Sequence, residues 1–350
     1  MRKLLLACLF AVAAFAAAPA RPEMQKVLDK LATLGGKPIP SLTAKEARLQ
    51  PTPADAAKGV VEDSGRSTAP EAVAKVEDRM IAGAAGQIPA RIYTPQGSGP
   101  MPVVVYFHGG GWVLASKDVY DSSPRALANL SHAIFVSVDY RLGPENKFPA
   151  AHEDAFAAYQ WALKNAASIG GDPARVAVAG ESAGGGLAAA VSLMARDRKA
   201  QLPLHQLLVY PIAGYDFDTA SYRENAEAKP LDKPMMQWFF QQYLVSPKDA
   251  GDPRISLVDA DLMGLPETTV VLAQIDPLRS EGEALAKNLK AAGVPVEQKT
   301  WAGVTHEFFG MGAAVAEAKE AEKWAGERLA KAFQKKPKAM GRAPQPSSGR

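Results

Sequence analysis

The chain has 350 residues, 47% apolar and 22% charged, which is enough to bury a large core and unlike a fibrous, collagenous or largely disordered chain. The net charge of +3 is carried by the ends: setting aside Arg2 and Lys3, and Lys335, Lys336, Lys338, Arg342 and Arg350, turns +3 into −4 for residues 21–334. No basic stripe remains to argue for nucleic acid, and the single cysteine, Cys8, excludes an internal disulfide or a cysteine metal site.

Arg2 and Lys3 precede the apolar run Leu4 to Phe15 and the small residues Ala16 to Ala20. This is the pattern of a secretory signal over residues 1–20, with cleavage near Ala18-Pro19-Ala20. The run is only marginally long enough to span a bilayer. The expected mature protein is exported, periplasmic or secreted, with no cysteine and no stable membrane span. Met24, Val27, Leu28, Leu31 and Leu34 recur at intervals of three and four, predicting a short amphipathic helix that Gly35-Gly36 stops. The polar, proline-bearing stretch to about Pro70 reads as an arm.

Beyond it, strands are predicted at Ala90–Thr94, Val103–Phe107, Ala133–Val138, Val176–Ala179, Leu207–Tyr210, Thr269–Ile275 and Val296–Trp301. Helices are predicted at Ala151–Asn165, Ala183–Asp197, Glu281–Ala292 and Ala313–Phe333. Continuously apolar strands alternating with helices mean an α/β domain, 21–334, with a mostly parallel sheet covered on both faces. The stretch between Pro211 and Leu265 is too long for a simple connection. With its aromatic helix at Met235–Leu244 it reads as an insertion over the C-terminal edge of the sheet, where such enzymes bind ligands. The segment 335–350 is basic and rich in Pro, Gly and Ser, and is expected to be disordered.

Gly180-Glu181-Ser182-Ala183-Gly184 fits G-x-S-x-G between a strand and a helix, the context in which a sharp turn lifts a nucleophilic serine above a sheet. His108-Gly109-Gly110-Gly111-Trp112 follows the strand Val103–Phe107 and reads as an oxyanion-hole loop. Gly110 would work with Gly109 or Gly111, and the N–H of Ala183 would be the third donor; His108 would brace the loop. The base must follow the nucleophile, which leaves His205 and His306. His205 precedes a strand, at the wrong end of the sheet; His306 follows the last strand and is the expected base. His132 and His152 precede the nucleophile and read as structural. The acid is expected after the preceding strand, at Asp276, with Glu281 in reserve; an Asp before Pro277 could equally cap a helix.

Taken together, His108–Trp112, Asp139-Tyr140-Arg141-Leu142-Gly143-Pro144-Glu145, Phe148-Pro149-Ala150, Gly180–Gly185, Asp276-Pro277-Leu278-Arg279 and His306 resemble the hormone-sensitive-lipase family of esterases, in particular its bacterial branch. The resemblance runs from about Met24 to about Phe333. It departs at Glu181, where the family usually has Asp, at Gly143, where it usually has Ala, and at Ser280, where it usually has an acid. It implies the α/β-hydrolase fold with a helical cap, drawn from about 21–70 and 212–264. It implies hydrolysis of short- to medium-chain carboxylic esters by a Ser182–Asp276–His306 triad, with no metal or organic cofactor. The same triad serves peptidases of this fold, and the motifs alone do not separate ester from amide, nor do they fix the oligomeric state.

Overall fold

The computed structural model describes residues 18–335; all but the last three residues of the signal segment and all but the first residue of the tail lie outside the described residues. The frame is one eight-stranded sheet in the order β1-β2-β4-β3-β5-β6-β7-β8. The strands are β1 (Lys75–Gly83), β2 (Gly86–Thr94), β3 (Met101–Phe107), β4 (Ile134–Val138), β5 (Gly171–Glu181), β6 (Gln206–Val209), β7 (Thr268–Ile275) and β8 (Val296–Thr305). β1 and β2 pair antiparallel, as do β2 and β4; all other neighbours are parallel. The central strands are buried on both sides, so they read as unbroken apolar runs. In β3, Val103, Val105 and Phe107 enter the core on one face of the sheet, while Val104 and Tyr106 enter the core on the other.

The helices are α1 (Pro22–Thr33), α2 (Ala44–Ala47), α3 (Pro53–Asp63), α4 (Ser122–Ser131), α5 (Ala150–Asn165), α6 (Ala183–Asp197), α7 (Ala220–Glu224), α8 (Lys233–Tyr243), α9 (Arg279–Ala291) and α10 (Ala316–Phe333). One core holds residues of α5, α6, α8 and α9; the other holds residues of α1, α3, α4 and α10.

The stretch before Pro70 is more ordered than an arm. Thr43 and Thr52 each close a capping box, with Glu46 and Asp55, so α2 and α3 start where their N-terminal donors are satisfied. Ala56, Ala57 and Val61 of α3 are buried beside Met24 and Val27 of α1. Lys335 belongs to the folded body rather than to a tail: its N–H donates to Ala332 and its ammonium pairs with Glu267.

Candidate active site

β5 ends at Glu181 and α6 begins at Ala183, leaving Ser182 alone in the turn at φ 56° and ψ −119°. That is a costly conformation for a residue with a side chain, and packing enforces it. The turn comes so close to its neighbours that a Cβ at Gly180 would strike the Gly184 carbonyl, and one at Gly184 the Phe107 carbonyl. The Ser182 N–H donates to Val209 at 2.9 Å, tying the turn to β6.

Ser182 Oγ lies 2.9 Å from His306 Nε2, and His306 Nδ1 lies 2.7 Å from Asp276 Oδ2. His306 follows β8 directly and Asp276 follows β7 directly, so neighbouring parallel strands deliver the imidazole and the carboxyl to the same edge as the serine. Asp276 also accepts the Leu278 N–H on its other oxygen, at 2.8 Å. Of the two roles the sequence offers, Asp276 takes the histidine partner's; α9 is capped at Leu278 without a side-chain bond, and the Asp276–Leu278 contact closes the turn before it. The Tyr210 ring packs against the imidazole with centroids 4.4 Å apart. Burial pushes His306 down, but the charge and hydrogen bond of Asp276, with the charge of Glu307, outweigh it and the net direction is up.

The glycine loop is held open by its backbone. Gly110 and Gly111 have φ 94° and 60°, and the N–H groups of Val113 and Leu114 both donate to the Gly110 carbonyl. Gly110 and Gly111 border a cavity of about 850 Å³ together with Ser182 and His306. Gly109 leaves no room for a side chain, since a Cβ there would collide with the Tyr120 hydroxyl. Ala183 opens α6, so its N–H has no partner within the helix. His108 is buried, stacks on Tyr140 with centroids 4.4 Å apart and places Nδ1 2.8 Å from the Gly109 carbonyl.

Around this loop lies a bracing layer in which sequence reasoning found no individual roles. Arg48, just past α2, donates to the carbonyls of Val113 and Gly143 and forms a paired contact with Glu145. Arg141 binds the fully buried Asp154 through Nε and Nη2. Tyr120 and Glu307 were also missed. Their only signal was position, since Glu307 adjoins the expected base.

Glu281 is buried and accepts the Ala213 N–H at 2.7 Å, while the imidazole is bonded to Asp276. His205 places Nε2 2.9 Å from Thr269 Oγ1, His152 bonds Tyr243, and His132 terminates α4 in a left-handed conformation. Among the described residues no group of three or more His, Cys, Asp and Glu could hold a metal ion, and no helix is long and apolar enough to cross a membrane.

Four buried carboxyls give stability a pH dependence, Glu307 among them with burial raising it. Burial pushes Glu181 to about 7, against hydrogen bonds from Ser123, Tyr106 and Tyr210, and pushes Glu281 and Glu322 to about 8. These groups hold their protons more tightly folded than unfolded. Their stabilisation is complete below the ordinary carboxylate range and is lost as pH rises through about 7 to 8. Buried His152 and His205, lowered to about 3 and 4, act oppositely and only below the ordinary histidine range. The melting temperature is therefore expected to fall between about pH 6.5 and 8.5, and Glu322→Gln to flatten that slope. Calorimetry across the range checks this; a rising melting temperature would contradict it.

A nucleophile elbow on a mostly parallel eight-stranded sheet, with a histidine and an aspartate arriving from successive later strands, defines the α/β-hydrolase fold. Residues 104–310 match the α/β-hydrolase fold family. Carboxylesterase NlhH of Mycobacterium tuberculosis (strain H37Rv) is 41% identical over 254 residues, covering 71% of this chain and 79% of that protein. Carboxylic ester hydrolase LipN of the same organism is 41% identical over 249 residues, covering 69% of this chain and 66% of LipN. The solved esterase of Pyrobaculum calidifontis superposes with a TM-score of 0.80 at 39% identity, covering 89% of this chain and 99% of that one. The chain belongs to the α/β-hydrolase fold family, among its hormone-sensitive-lipase-like carboxylesterases.

Proposed function

We propose that the chain is a serine carboxylesterase that cleaves short- to medium-chain esters through an acyl-enzyme, with Ser182 as nucleophile, His306 as base and Asp276 as the acid that orients it. The observation that carries this reading is the continuous chain Ser182 Oγ–His306 Nε2 and His306 Nδ1–Asp276 Oδ2, at 2.9 and 2.7 Å, opening onto the cavity.

Ser182 Oγ attacks the ester carbonyl carbon while its proton passes to His306 Nε2. The carbonyl oxygen becomes an anion facing the N–H groups of Gly110 and Ala183, with that of Gly109 or Gly111 beside them. One such donor is worth on the order of 10²–10³ in rate. His306 returns the proton to the leaving alkoxide. Water then repeats the attack on the acyl-enzyme through the same base. Leu28 and Leu31 of α1, Val61 of α3, and Met235 and Phe239 of α8 line the cavity and offer an apolar seat for the acyl or alkyl chain. The segments supplying them, within 21–70 and 212–264, act as the cap. Export is part of the proposal, and it rests on Arg2 and Lys3, the apolar run Leu4 to Phe15 and the small residues Ala16 to Ala20.

A panel of p-nitrophenyl esters from acetate to laurate, set beside matching p-nitroanilides, tests the activity. Ester turnover highest at short to medium chains, with anilides slower by orders of magnitude, is the expected result. Comparable anilide turnover would make the protein a peptidase. A fluorophosphonate should label Ser182, and peptide mapping of the adduct locates it.

A further inference from the structure

Glu307 directly follows the base, in a left-handed conformation at φ 68° that disfavours any residue with a side chain. The backbone of this turn aims the carboxyl back at the reaction centre: Oε1 lies 3.8 Å from His306 Nε2, the nitrogen that faces Ser182 Oγ. Both carboxyl oxygens lie 2.7 Å from the Tyr120 hydroxyl, which donates to them. That hydroxyl sits where a side chain at position 109 would have been, so the first glycine of the loop makes room for the donor that pins Glu307. Tyr120 and Glu307 both border the cavity beside Ser182 and His306.

The titratable groups around the imidazole are thus Asp276 from the end of β7, Glu181 from the end of β5, Tyr210 after β6, Tyr120 before α4 and Glu307 on its own loop. Asp276 bonds Nδ1, and Glu181 is occupied by the hydroxyls of Tyr106 and Tyr210. Glu307 is the carboxyl set at the Nε2 edge, where the proton moves.

We infer that Glu307 is a positioning residue of the catalytic centre: its carboxylate, pinned by Tyr120, stabilises the imidazolium from the Nε2 side while Asp276 does so from the Nδ1 side. The proton balance is unchanged: it leaves Ser182 Oγ, rests on Nε2 and goes to the leaving alkoxide. Burial raises the Glu307 carboxyl, while the His306 charge and the Tyr120 hydroxyl lower it; in the proposed cycle it takes up no proton and contributes its charge. The inference rests on the proposed triad.

The test is the pH profile of kcat/KM for p-nitrophenyl butyrate in the full enzyme and in Glu307→Gln. Removing a charge this close to the imidazole lowers its pKa, so the acid limb is expected to move down by about one pH unit. The plateau is expected to fall roughly tenfold, the same interaction read in the transition state. Glu307→Gly is the second variant, because it removes the carboxyl and relieves the left-handed backbone, so the turn still forms. NMR titration of His306 in Ser182→Ala, with and without Glu307→Gln, reads the same shift without turnover. A limb and a titration that do not move, or that move to higher pH, overturn the inference even if the plateau falls, since a merely structural residue would lower activity without shifting either. An active Ser182→Ala would instead overturn the triad.

Discussion

Ser182→Ala should give a folded protein whose kcat is reduced on the order of 10⁴–10⁶-fold. The expectation of intact folding comes from what builds the turn. Its closeness to neighbouring strands depends on Gly180 and Gly184, and its anchorage on a backbone bond to Val209. The Ser182 side chain bonds His306, and alanine is no worse suited than serine to φ 56°. The substitution thus removes the proposed attacking oxygen and leaves the glycine loop and the Ala183 N–H in place, so substrate should still bind. Initial rates on p-nitrophenyl butyrate, with circular dichroism on the same sample, check both halves. Retention of a tenth of the activity would remove Ser182 from the mechanism.

Asp276→Asn should be nearly as damaging, costing roughly 10³–10⁴ in kcat at neutral pH, by analogy with other triads. Asparagine has the same shape and can still accept the Leu278 N–H, so the turn into α9 survives. The side-chain amide then faces His306 Nδ1 with a donor. The imidazole responds by carrying its proton on Nε2, where it donates to Ser182 instead of accepting from it. Glu281→Gln is the control. Glu281 is raised to about 8 by burial and bonds the Ala213 backbone, so its amide should keep kcat within a few-fold. The opposite ranking, with Glu281→Gln crippling and Asp276→Asn nearly silent, would reassign the acid.

The central sheet was legible because its strands are buried on both faces. Ile134–Val138 and the Val270–Ala273 run of Thr268–Ile275 are mostly apolar and buried, and the structure places both strands within a residue of where the sequence suggests. β1 was not legible. It is an edge strand, with Ile81 its one fully buried side chain and Lys75, Glu77, Asp78 and Arg79 along it, so no alternation marks it. α4 escaped because its buried face is built from Ser123, Pro124, Ala126, Leu127 and Ala128, too small and mixed for an apolar stripe. α3 carried a readable cap, Thr52 through Asp55, but its proline and glycine suggested an irregular arm. The serine, histidine, aspartate and glycine motifs announce themselves because each needs a fixed residue type at a fixed place along the chain. Arg48, Tyr120 and Glu307 do not. Their partners lie 97 residues away for Arg48 and Glu145, and 187 for Tyr120 and Glu307. Nothing in a single sequence joins such positions.

Arg48 bears on how this scaffold can be engineered. It sits on the segment whose helices roof the cavity, yet its guanidinium grips the Val113 and Gly143 carbonyls and Glu145, directly behind the glycine loop. Roof and oxyanion loop are therefore not separable modules. A chimera that imports the first fifty residues of a relative to change substrate choice also imports, or loses, a clamp on the catalytic backbone. Grafts that carry an arginine at this position together with its acceptors keep the loop in register. Grafts that omit it strip a buttress from three hydrogen-bond acceptors at once, and the resulting loss of rate would be misread as a failure of the new cap to fit its substrate.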